Sequence, residues 1–120
     1  MLAFSSRGEP DMSHESLPPI VESIAQDYPE IWDAYRRLGD ASEKAGPLDL
    51  KTMRLVKLAL AIGAGRQGAV HSHVRRGLKA GLTPAELRQV ALLAITTLGW
   101  SSSVAALSWI NDILGPLDKA

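Results

Sequence analysis

The sequence predicts an all-α protein, and three observations carry that prediction. Apolar residues recur at three- and four-residue intervals over most of the chain, while strand-like alternation is missing. Gly and Pro stand between these periodic segments rather than inside them. Residues 83–86, Thr-Pro-Ala-Glu, form a helix-start signature in which each end of the motif can bond the other's amide. With 120 residues there is room for one domain. The composition, 46% hydrophobic and 22% charged, suits a folded chain rather than a disordered one.

Taken in order, residues 1–15 lack helical periodicity and read as a mobile N-terminal leader, with Met12 as a possible alternative start. Residues 16–120 read as one all-helical domain. Ser16 is a candidate cap for a short helix with Pro18 and Pro19 in its first turn and Ile20, Val21 and Ile24 on its apolar side. Asp27-Tyr28-Pro29 breaks it. A second helix then carries Ile31, Tyr35 and Leu38 at helical spacing, and Gly46-Pro47 ends it. Asp49 is the expected cap of a third, strongly apolar helix through Met53, Val56 and Leu60. Gly63 and Gly65 punctuate the chain after it. The next helix spans about Gln67 to Ala80, and Gly81 stands where a left-handed residue is wanted. After Thr83, a helix with Leu87, Val90, Ala91, Ala94 and Leu98 on one face runs to Gly99. A last helix covers about Ser102 to Leu114 and stops at Gly115-Pro116.

Composition also limits function. The 13 Lys and Arg residues balance 13 Asp and Glu residues, so no overall field draws nucleic acid or an anionic membrane. No apolar run approaches the ~18 residues of a membrane span, and the start of the chain lacks a secretory pattern, so a cytoplasmic location is expected. There is no cysteine. Thiolate nucleophiles, disulfides and zinc–thiolate or iron–sulfur sites therefore cannot be built from this chain. The last two helices, with ALLAITTLGW and VAALSWI, are apolar over more than the ~100° needed to face one core. That surplus predicts a homo-oligomer, although burial inside a single subunit would also hide it.

Residues 50–81, LKTMRLVKLALAIGAGRQGAVHSHVRRGLKAG, together with LTPAELRQVALLAITTLGW, resemble the carboxymuconolactone decarboxylase and alkylhydroperoxidase D-like family. The match covers roughly residues 30–114 and lies in the order and spacing of its parts. It implies an alkylhydroperoxidase D-like helical bundle assembled as a homotrimer or homohexamer. The thiol members of that family are peroxidases that join a Cys pair, a His and a Glu in a proton relay. With the family His placed on His73, the two Cys positions fall on Ala69 and Arg66, and the Glu position on Arg54. Only the imidazole remains, so a peroxidase label would be transferred without its chemistry.

The decarboxylase branch needs no thiol, metal or organic cofactor, and the resemblance directs attention to His73 and His71 as catalytic candidates. Arg54, Lys57, Arg66 and Gln67 are the candidate substrate-binding residues. Arg54 and Lys57 share a helix face at i and i+3 and suit a small carboxylated ligand. An imidazole beside them could move a proton while an enolate is stabilised. His71 and His73 stand about 200° apart on one helix, which argues against a metal held by both. The other readings stay open: Arg54 and Lys57 as a solvated face or as partners of Glu86 or Asp112, and Arg75, Arg76 and Lys79 as a wet basic stripe. Two functions follow as expectations. One is a cofactor-independent decarboxylase or isomerase of a small carboxylated molecule, and the other is a non-catalytic binding or assembly subunit on the same fold.

Overall fold

A computed structural model describes residues 17–116. The leader assigned to residues 1–15 and the cap assigned to Ser16 lie outside the described residues. Seven helices follow one another: α1 (Pro19–Asp27), α2 (Pro29–Glu43), α3 (Leu50–Ala64), α4 (Gln67–Lys79), α5 (Pro84–Leu93), α6 (Ile95–Leu98) and α7 (Trp100–Leu114). No strand occurs among the described residues, and no helix among them is long and apolar enough to cross a membrane. The contacts divide the chain into two compact units, Met1–Pro47 and Leu48–Ala120.

The first unit is the pair α1 and α2. Tyr28 separates them in a non-helical conformation (φ -132°, ψ 64°), with Pro29 opening α2 at a position where a missing amide proton costs nothing. Neither helix contains a buried residue.

The second unit holds the core. Asp49 caps α3 by accepting the Thr52 amide at 2.8 Å, and this bond, ahead of all else, holds its carboxyl below the usual range. Gly65 ends α3 in the left-handed conformation at φ 68°. After α4 the chain closes as a Schellman motif about Gly81: the Leu82 amide donates to the Gly77 carbonyl at 2.9 Å and the Gly81 amide to Leu78 at 3.0 Å. This turn inserts Leu82 into the core beside Leu58, Val70, Val74, Leu87 and Ile110. The expected capping box starts α5: Thr83 Oγ1 accepts the Glu86 amide at 3.1 Å, and Glu86 Oε1 accepts the Thr83 amide at 2.8 Å. Arg88 then binds α5 to the end of α7. Its Nε donates to Asn111 Oδ1 at 3.0 Å and an Nη to the Gly115 carbonyl at 3.3 Å, placing a cation at the negative end of that helix.

The stretch expected as one helix from Thr83 to Gly99 is broken in two. The Ala94 amide donates to Ala91, three residues back rather than four, and the amides of Thr97, Leu98 and Gly99 all turn to the Ala94 carbonyl. The following Ile95-Thr96-Thr97 is a β-branched run with poor helix propensity, so the tighter turn costs little there. The last helix also begins earlier than expected, at Trp100. Gly99 supplies the corner at φ 102°, open to glycine and strained for other residues. Small residues then let α5 and α7 approach: Ala91 and Ala106 are fully buried, and buried Ser103 donates to the Ala91 carbonyl at 2.6 Å.

Candidate functional site

Helices α3 and α4 pack on each other and carry the candidate residues. Asp49 and Gly65 frame α3, and within it Arg54 is 5% exposed, one turn before the fully buried Leu58. A guanidinium on the core side of an apolar helix is unusual, because burying a cation is costly unless its surroundings compensate it. Lys57 follows one turn later and is half-buried. On α4, Val70, Val74 and Gly77 face the core. Gly77 lets α4 approach closely there: a Cβ would stand 2.9 Å from Leu87 Cδ2 and 3.1 Å from Leu82 Cδ1, so those side chains would have to shift.

The two histidines separate as helical geometry demands. His71 is directed to α7, where its Nε2 lies 2.9 Å from Asp112 Oδ2. That contact gives His71 a carboxylate partner of its own. The His73 ring is half-buried, and its Nδ1 is shut off from solvent without a hydrogen-bond partner. Its pKa falls from 6.5 to about 4, first because burial penalises the imidazolium, then because Arg76, Lys57 and Arg54 repel it. At neutral pH the ring is therefore uncharged and sits among three cations drawn from two helices.

The charges of Arg76, Lys57 and Arg54 all act on His73, and of these Arg76 is the one that the sequence reading left in a wet basic stripe. Arg76 is half-buried and is first among the cations acting on His73. Its position three residues after His73 was the available signal, because i and i+3 side chains share a helix face. Arg66 and Gln67 are exposed at the start of α4, roughly 10 Å along the axis from His73. Neither is among the groups perturbing the imidazole. Of the acids considered beside Arg54 and Lys57, Glu86 closes the capping box and Asp112 meets His71. Ala69, Arg66 and Arg54, onto which the resemblance would place the peroxidase thiols and acid, offer no sulfur and no carboxylate.

An uncharged imidazole flanked by guanidinium and ammonium groups can accept or return a proton beside a bound anion. It cannot perform thiol redox chemistry. The family model for the carboxymuconolactone decarboxylase family matches residues 27–112. A solved structure of a candidate carboxymuconolactone decarboxylase from Burkholderia xenovorans LB400 is similar to the chain at 24% identity and a TM-score of 0.60, covering 82% of this chain and 80% of that one. At that identity the likeness concerns the fold. No curated protein matches the sequence. The chain belongs to the carboxymuconolactone decarboxylase family, as a member without cysteine.

Proposed function

We propose that this protein binds a small carboxylated molecule at His73, with Arg54, Lys57 and Arg76 as the anion-facing groups, and decarboxylates or isomerises it without a cofactor. The observation that carries this reading is the half-buried, uncharged His73 with its unbonded Nδ1 beside those cations. A guanidinium binds a carboxylate through paired N–H donors, and an ammonium adds a mobile point charge. Burial is the first cause of the neutral imidazole and the cations' repulsion the second; a bound anion would offset the repulsion and favour uptake of a proton by the ring as the ligand arrives. In a decarboxylation, the bond to the carboxylate carbon breaks and its electron pair passes into a conjugated carbonyl as an enolate. The cations stabilise that charge, and the imidazolium returns its proton to carbon as CO₂ departs. In an isomerisation the same ring removes a proton from one carbon and restores it at another.

His71, bonded to Asp112, stands outside this reaction, and Arg66 and Gln67 have no part in its chemistry. We take the working form to be a homo-oligomer, a trimer or hexamer. Half-exposed or more exposed Leu92, Leu93 and Trp100 on and beside the last helices support it.

The test is ¹⁵N NMR of His73 titrated with a panel of small mono- and dicarboxylates and carboxylated lactones, with CO₂ release followed in parallel. A binding carboxylate should raise the His73 midpoint from about 4 by at least one pH unit, and Lys57→Gln should weaken binding about tenfold. CO₂ release or a shifted double bond makes the protein an enzyme. Binding without turnover makes it a non-catalytic member of the family. A His73 midpoint indifferent to the whole panel refutes the site.

A further inference from the structure

The cations assigned to the His73 site differ in what they can do beyond binding. Arg54 and Arg76 carry guanidinium groups, which stay charged and serve as hydrogen-bond forks. Lys57 carries a primary amine, the one group of the site that can condense with a carbonyl carbon. It lies three residues after Arg54 on α3, is half-buried, and its charge reaches His73 on α4. Among the described residues its ammonium makes no hydrogen bond and no ion pair. The second unit has three acids among its described residues, Asp49, Glu86 and Asp112. Asp49 is bonded to Thr52, Glu86 to Thr83 and Asp112 to His71. A lysine kept for packing α3 on α4 gains from a carboxylate set beside it. Here the amine is left unengaged in a site that also holds an uncharged imidazole.

Decarboxylation without a cofactor is limited by where the electron pair of the broken bond goes. A protonated imine receives that pair more readily than a ketone does, which is the use of an amine nucleophile. We propose that Lys57 is a catalytic residue that forms an imine with a 3-oxo carboxylate whose carboxylate faces the guanidinium groups. This rests on the reading of the His73 site as a carboxylate site, and it adds the class of substrate and the covalent step. The Lys57 ammonium and the C3 carbonyl condense to a protonated imine, and the carbonyl oxygen leaves as water with two of the ammonium's hydrogens. The C1–C2 bond then breaks and CO₂ departs. The electron pair of that bond becomes the C2–C3 double bond, and the imine π pair moves onto nitrogen. The resulting enamine takes a proton at C2 from the His73 imidazolium, which draws it from solvent. Water adds to the imine and releases the ketone and the Lys57 ammonium.

The test incubates the full chain with acetoacetate and with 3-oxoglutarate, reduces it with sodium borohydride, and maps the adduct by mass spectrometry of peptides. CO₂ release and the ¹⁵N titration of His73 are followed with the same two acids. Lys57 should carry the adduct at least about tenfold above the exposed Lys51. Lys57→Arg keeps the charge without a primary amine; it should retain helical circular dichroism and lose both the adduct and the CO₂ release. The mapping on the wild type stands whether or not that variant folds. No adduct, or equal labelling of Lys51 and Lys57, overturns the covalent role; if the His73 midpoint still answers to these acids, the anion site is left standing. CO₂ release that survives in Lys57→Arg overturns the covalent role in the same way. A His73 midpoint indifferent to carboxylates ends both readings.

Discussion

Lowering the pH should destabilise this protein through His73 in particular. The folded ring takes its proton near pH 4, whereas the unfolded chain takes it near 6.5. Between those values the unfolded state binds more protons, so stability falls as pH falls, and the loss is complete once both states are protonated. Above pH 7 this group adds no slope. The gap between the two values is worth at most about 3 kcal/mol, and partial access of the ring to solvent reduces it to about 2 kcal/mol. Other groups titrate over the same range, so the informative quantity is a difference. Urea unfolding of the wild type and of His73→Gln, each at pH 7.5 and pH 4.5, isolates the imidazole, since glutamine carries no titrating proton. The wild type should lose about 2 kcal/mol more than the variant between the two conditions. If both lose the same amount, the ring is not held neutral by its surroundings. The proposed proton uptake on ligand binding would lose its basis with it.

Two predictions concern the scaffold beneath the site. Thr83→Ala removes one half of the capping box and should cost about 1 kcal/mol in urea unfolding, while Thr83→Ser should leave stability within a few tenths of a kcal/mol of wild type. Gly77→Val would drive a branched side chain into Leu87 and Leu82 where even a Cβ is crowded. It should cost about 3 kcal/mol, and calorimetry showing an unchanged melting temperature would contradict the close approach of α4 to that layer.

How much of this was legible in the chain depends on the range of the forces involved. Thr83 to Glu86, Asp49 with Thr52, and Gly81 after α4 are written within four or five residues, and each was readable because the bonds it makes are local. The break at Ala94 was hidden because Val90, Ala91, Ala94 and Leu98 keep a helical period across it. A period reports which face is apolar, and it does not report whether one turn tightens from four residues to three. The influence of Arg76 on His73 could have been read from their i, i+3 spacing on α4, whereas that of Arg54 and Lys57 comes from α3 and needed the packing of the two helices.

The residues alone determined that this chain is helical, that it lacks any sulfur nucleophile, and that His71 and His73 leave α4 in different directions. Those conclusions follow from atom inventory and helix geometry, and no packing could reverse them. Tertiary structure decided which imidazole is buried beside Arg54, Lys57 and Arg76 and which meets Asp112. A histidine's charge depends on desolvation and on cations brought in from another helix, and that environment exists only after the helices have packed.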